Sequence, residues 1–214
     1  MQRRPATLFW DVDTQVDFVR ESGALYVPGA EKATSNLARL TAAARDRNVP
    51  VVASADDHHL SDAEISDDPD FQTTYPPHCM HGTPGQEKVR ETSLPEAEVF
   101  DRDELSDEEV RRRLRDAGSS VLILKNRVDV FTNPNTEKIL AELDPARIVV
   151  YGVALDVCNK FTVEGLLARG RGDLVVVTDA TAALDPDRGR RLLEEWSGKG
   201  VRLATTDEVL ADVR

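Results

Sequence analysis

The stretch Arg147-Ile148-Val149-Val150-Tyr151-Gly152-Val153-Ala154-Leu155-Asp156-Val157-Cys158 decides how this chain folds. Its first half is an apolar, β-branched run with no polar alternation, the pattern of a strand buried on both faces, as in a parallel sheet. Glycine then opens a turn, and residues 157–169 carry apolar side chains at helical spacing up to Gly170, where a helix should stop. Strand, glycine-containing turn and helix, in that order, form the unit from which helix-covered parallel sheets are built.

The same alternation extends in both directions. Buried-strand runs lie at residues 6–12, 49–55, 98–101, 120–125 and 173–178, and a shorter candidate lies at 201–204. Helical spacing marks residues 31–48, 107–117, 135–143 and 186–197, with Gly118 and Gly198 placed to end two of them. The expected fold is α/β, a doubly wound, mainly parallel six-stranded sheet with helices on both faces, as one domain over residues 1–214. Residues 56–95 are the exception, rich in Asp, Pro, His and Thr and without periodicity; loops of that length are functional or disordered. The charged stretch 104–115 reads as a solvated helix with i,i+4 ion pairs.

At 214 residues, the chain can bury roughly 70 % of its unfolded surface, so its core requires neither disulfides nor a structural metal. A formal net charge of -12 argues against gripping phosphate backbones or anionic lipid, so neither nucleic acid nor membrane is an expected partner. No run approaches the ~20 apolar residues of a membrane span. The start, Met1-Gln2-Arg3-Arg4-Pro5, leads into a strand-like run and not into a signal-peptide core, so a cytoplasmic location is expected. Cys79 and Cys158 are too few for a disulfide framework and are expected as free thiols.

Ligands of open doubly wound sheets bind beyond the carboxyl ends of the strands. Asp13 follows the first strand, Asp56 and His58 follow the second, Lys125 ends the fourth, and Cys158 comes shortly after the fifth. Singly, each has an ordinary structural explanation: a turn-forming Asp, a strand-end Lys reaching solvent, a small buried thiol. Their convergence on one rim points to chemistry. A sulfur near a helix N-terminus and close to Lys125 should have a lowered pKa, and Asp13 within reach would accept its proton. Asp56 and His58 are two apart in an extended segment and so point the same way, which suits a metal ion. His78 is a third candidate ligand and Glu64 a fourth, while His59 and His81 compete for the role. Such donors suit Zn²⁺ above all, with Fe²⁺ or Mn²⁺ as alternatives.

Over nearly the whole chain these residues resemble the isochorismatase-like cysteine hydrolases, and within them the nicotinamidases, also called pyrazinamidases. Asp13-Thr14-Gln15-Val16-Asp17-Phe18 is similar to the family's Asp-x-Gln-x-Asp-Phe motif. Lys125 after Val121-Leu122-Ile123-Leu124, and Cys158 after Gly152-Val153-Ala154, resemble its catalytic lysine and nucleophile. Ala55-Asp56-Asp57-His58 and Pro76-Pro77-His78-Cys79 resemble its metal-binding segments. The resemblance implies a Rossmann-like three-layer sandwich in which Asp13, Lys125 and Cys158 are catalytic. It implies a cis peptide at Val153–Ala154, and an oxyanion hole made by the amides of Ala154 and Cys158. Phe18 and Tyr75 would flank a planar ring, with Val153 and Val157 completing the pocket, and Asp56, His58, His78 and Glu64 would hold the metal.

The implied reaction converts nicotinamide to nicotinate and ammonia through a Cys thioester, a step of NAD salvage. The alternative is a related hydrolase acting on a maleamate- or carbamoyl-type amide. Tyr75 stands where Trp is often found, and Val157 where many nicotinamidases have His or an aromatic residue, which would widen the pocket. A phosphate-binding module on the same sheet is disfavoured, because the Asp13–Asp17 turn offers carboxylates where glycines and backbone amides are needed. A catalytically dead relative is disfavoured by the intact Asp13, Lys125 and Cys158. A small-molecule amide is the expected partner, and exposed helices on such a sheet leave room for a homo-oligomer.

Overall fold

In the computed structural model, which describes residues 4–213, the β-branched runs become strands β1 (Thr7–Val12), β2 (Val51–Asp56), β3 (Glu98–Phe100), β4 (Ser120–Lys125), β5 (Arg147–Val153), β6 (Asp173–Ala182) and β7 (Arg202–Ala204). They form a 7-stranded sheet in the order β3-β4-β2-β1-β5-β6-β7, and every pairing between them is parallel. The expectation of six strands is therefore corrected. The short run near residue 203 is a true edge strand, held by β6 in the register Val176↔Leu203.

Helices α1 (Val16–Val19), α2 (Ala30–Asp46), α3 (Asp107–Asp116), α4 (Thr136–Leu143), α5 (Cys158–Ala168), α6 (Pro186–Gly198) and α7 (Thr206–Asp212) complete the described architecture. Alternation along β1 shows how the layers are built. Leu8, Trp10 and Val12 enter a core shared with Val110 of α3, Ile139 of α4, Val163 of α5 and Trp196 of α6. Phe9 points the other way, into a core with Leu37 and Leu40 of α2 and Val209 of α7. Both faces of the central strands are thus buried, which is why their sequences lack polar alternation. Sequence periodicity did not show α7, a short helix opened by a capping box in which Thr205 and Glu208 satisfy each other's backbone N–H groups.

After β1 the chain covers one face with α2, and after β5 it covers the other with α5. The crevice between the C-terminal ends of these adjacent strands is the topological switch point. Gly152 permits it: its φ is 111°, and a Cβ there would lie 2.1 Å from the carbonyl oxygen of Val12. The aperiodic segment after β2 folds over this edge and is ordered by side chains bonding backbone. Asp17 Oδ2 accepts the Cys79 N–H at 2.7 Å. Asp70 Oδ1 collects the N–H groups of Gln72, Thr73 and Thr74, each at 2.8 Å, which holds its carboxyl well below the usual range. Among the described residues no helix is long and apolar enough to cross a membrane.

Candidate active site

Register brings the site together. β2 and β4 pair Asp56 with Lys125, and the β1–β2 pairing of Val12 with Ser54 sets Asp13 beside them. Lys125 is buried, with its ammonium 2.9 Å from Asp13 Oδ2, hydrogen-bonded to Asp56 Oδ1 and 3.8 Å from Cys158 Sγ. Asp13 Oδ1 accepts the Ser54 hydroxyl at 2.7 Å. Asp13 Oδ2 makes the ion-pair contact with Lys125 and has no hydrogen-bond partner among the described residues. A carboxylate oxygen of Asp13, one of Asp56 and Cys158 Sγ lie within 4.8 Å of one another.

Electrostatics assign the protons. Burial works against the Lys125 charge, but Asp13 and Asp56 outweigh it and hold its pKa well above the ordinary value. Burial raises the Asp13 carboxyl, Lys125 opposes, and neighbouring Asp56 raises it further; the net shift is upward. The sequence pointed to a lowered pKa for Cys158, and the structure reverses this. Burial pushes the thiol well up, Lys125 only partly offsets it, and Asp13 and Asp56 add to the rise. The resting sulfur is a neutral thiol beside a carboxylate of enhanced basicity. Cys79 is likewise buried, and burial pushes its thiol up.

The turn carrying Cys158 is fixed from both sides. Asn159 Nδ2 donates to Gly152 O at 3.0 Å, and buried Asp156 accepts the N–H groups of Leu184 and Asp185 at 2.8 and 3.0 Å. The Val153–Ala154 peptide is cis, as the family resemblance implied. Neither the Ala154 N–H nor the Cys158 N–H finds an acceptor among the described residues.

Beside the sulfur lies a pocket enclosing roughly 360 Å³ of empty space, part of it open to solvent. Phe18, Tyr75, Val128, Val157 and Leu184 give it apolar walls, and Asp56, Glu64 and His78 are polar points on them. Burial pushes the Tyr75 phenol up to about 12, so it stays neutral. Val153 does not line this pocket. Its side chain is buried behind the turn in an apolar cluster with Val19, Val27 and Val89, because the wall position falls to Ala154.

Asp56, His58 and His78 place one ligand atom each within 4.8 Å of one another, all buried. His78 Nδ1 bonds Pro76 O at 2.7 Å, which fixes the ring and leaves Nε2, 3.7 Å from Asp56 Oδ2, free to meet a metal ion. Both ring nitrogens of fully buried His58 lack a hydrogen-bond partner among the described residues. Orphaned polar atoms of that kind are costly, and a metal ion would satisfy one, so the residues fit the group. Glu64 stands outside this trio, and its Oε1 accepts the Val128 N–H at 3.0 Å.

Sequence reasoning left Gln15 without a role, although it sits inside the quoted motif. Its side chain bonds both backbone groups of Asp56, and reaches Gln86 O at 2.7 Å as well. Asp17, equally silent, fixes the segment carrying His78 through the Cys79 N–H.

A buried carboxylate, ammonium and thiol thus meet at the switch point of a doubly wound α/β sheet. Residues 7–208 match the Isochorismatase domain, and the chain belongs to that family. It is 29% identical over 194 residues to the nicotinamidase/pyrazinamidase of Mycobacterium tuberculosis (strain ATCC 25618 / H37Rv), covering 90% of this chain and 95% of that one. It is also 24% identical over 199 residues to a "probable inactive nicotinamidase" of Arabidopsis thaliana, covering 92% and 91%. The crystal structure of the pyrazinamidase of Pyrococcus horikoshii in complex with zinc aligns with a TM-score of 0.74 at 24% identity, over 94% of this chain and 99% of that one.

Proposed function

We propose that this protein is a cysteine amidohydrolase that converts nicotinamide to nicotinate and ammonia. The carrying observation is the charged Lys125 between Asp13 and Cys158, with two unengaged amides beside a small apolar pocket. Asp13, its basicity raised by burial, takes the proton of the Cys158 thiol as sulfur attacks the carboxamide carbon. Lys125 stabilises the anionic sulfur in passing. The N–H groups of Ala154 and Cys158 receive the tetrahedral oxyanion, each worth a few kcal/mol, about 2.7–4 when one such donor is removed. As the C–N bond breaks, Asp13 returns its proton to the leaving nitrogen and ammonia departs, leaving a thioester. Water, deprotonated by the same carboxylate, attacks the thioester carbonyl; nicotinate leaves and the thiol is restored.

Phe18 and Tyr75 offer aromatic surface to a planar ring, and both border His78. Asp56, His58 and His78 would hold a divalent ion, zinc by the chemistry of the donor set. A bound metal would supply a coordination position for the ring nitrogen, orienting the carboxamide. The relative from Mycobacterium tuberculosis supports this reading, and the intact Asp13, Lys125 and Cys158 favour an active enzyme over the inactive state named for the plant relative. Two free thiols, one of them the nucleophile, suit a reducing, cytoplasmic setting.

Aliphatic Val157 on the pocket wall keeps a second substrate class in view, a maleamate- or carbamoyl-type amide handled by the same residues. Ammonia release from nicotinamide, pyrazinamide, maleamate and a carbamoyl amino acid, with and without chelator, separates the two. Turnover of the ring amides is expected; turnover confined to the aliphatic amides would move the substrate assignment, and release from none would remove the enzymatic reading.

A further inference from the structure

The segment Asp56-Asp57-His58-His59 runs on from the end of β2, with His58 in a parallel bridge to Met80, so successive side chains alternate in direction. Asp56 and His58 turn inward and are completed by His78. Asp57 and His59 turn to the opposite side, and there His81 completes a second set: one ligand atom each from Asp57, His59 and His81 lies within 4.8 Å of the others. Two Asp-x-His pairs in opposite phase therefore share one strand extension, each joined by a histidine from the neighbouring segment.

We infer that Asp57, His59 and His81 form a second, solvent-facing site for a divalent transition-metal ion. The donors are two imidazoles and a carboxylate, a set that favours Zn²⁺, Ni²⁺ or Cu²⁺ over Mg²⁺ or Ca²⁺. The scaffold is built in advance of any ion. His58 N–H donates to Cys79 O at 3.1 Å and His81 N–H to His58 O at 2.8 Å, which locks the two donor segments side by side. Asp57 is buried and fixed through its N–H to Lys125 O at 2.8 Å. Its Oδ1 accepts His81 Nδ1 at 2.7 Å and Gln86 Nε2 at 2.6 Å.

The imidazoles of His59 and His81 face each other with centroids 5.0 Å apart and planes tilted by 31°. Both are exposed, so each can rotate onto an ion while the fourth position stays open to solvent. One cation opposes: Arg102 Nη2 lies 3.9 Å from Asp57 Oδ2. Asp62 and Asp101 contact the same guanidinium, so the neighbourhood remains net acidic. The inner site is sealed and positioned for substrate; the outer one exchanges freely with solution, and its occupant would brace the segments that carry His58 and His78. The inference does not depend on the reaction proposed above.

Equilibrium dialysis of the chelator-stripped full chain against zinc, read by elemental mass spectrometry, tests it. About two zinc ions per chain are expected for the wild type, and about one for His59→Ala/His81→Ala, whose exposed positions spare the fold. His58→Ala should also hold about one, at the outer site. Two ions retained by His59→Ala/His81→Ala, or a single wild-type ion that survives in that variant, would overturn the outer site. A single wild-type ion lost in that variant and kept in His58→Ala would support the outer site and instead remove the inner one.

Discussion

Gln15 holds Asp56 by both of its backbone groups: Nε2 donates to Asp56 O at 2.8 Å and Oε1 accepts the Asp56 N–H at 2.7 Å. One amide from the first strand-to-helix turn thereby sets the end of β2, where Asp56 meets Lys125 and joins the proposed inner metal trio. Gln15→Ala would leave these backbone groups and Gln86 O without partners in a buried setting. The expected loss is about 3 kcal/mol of stability, at roughly 1–3 kcal/mol per unsatisfied group with partial rescue by water. Urea denaturation measures it, and a midpoint equal to wild type would show that Gln15 is dispensable.

Lys125 is the only cation placed between Asp13 and Asp56 among the described residues. Lys125→Met keeps most of the stem and removes the charge, leaving two buried carboxylates facing each other. Stability should fall by about 3–5 kcal/mol at pH 7 and recover part of that loss as pH drops and a carboxylate protonates. Denaturation midpoints of variant and wild type from pH 8 to pH 5 give the comparison; a gap that widens on acidification would contradict the charge placement.

Because burial pushes the Cys158 thiol up, its thiolate fraction in the free enzyme is low at neutral pH and grows only above the ordinary thiol range. Iodoacetamide labelling of Cys158 in metal-free protein should therefore rise with pH through a midpoint above about 8.5. A plateau reached below pH 7 would mean that Lys125 and the helix N-terminus outweigh burial after all.

Zinc at Asp56, His58 and His78 would bind the folded chain alone and raise its melting temperature by mass action. In a His59→Ala/His81→Ala background, which removes the outer donors, zinc should still stabilise the protein. Adding His78→Ala should abolish that shift. An unchanged shift in the triple variant would place the ion elsewhere.

The central strands and the long helices were legible because burial on two faces leaves β-branched runs and helical spacing leaves a period, both local in sequence. β7 and α7 were faint since each is only a few residues long, though the Thr205-Thr206-Asp207-Glu208 capping pattern was there to be read. The segment after β2 was opaque because its order comes from distant partners, as in Asp17 with the Cys79 N–H. Alternation did place Asp13, Asp56, His58, Lys125 and Cys158 on one rim. It could not reveal that Asp56, beyond acting as a candidate ligand, pairs directly with Lys125, a consequence of the β2–β4 register. For the same reason the direction of the Cys158 shift was missed: the helix end is visible in sequence, whereas burial and two converging carboxylates are not.

Intact-mass spectrometry of acid-quenched turnover tests the central claim most directly, namely that Cys158 carries the acyl group. With nicotinamide in excess, part of the wild-type protein should gain the mass of a nicotinoyl group, mapped to Cys158 and absent from Cys158→Ala, which should also release no ammonia above background. Ammonia release by Cys158→Ala at the wild-type rate, or an acyl group found on another residue, would contradict it.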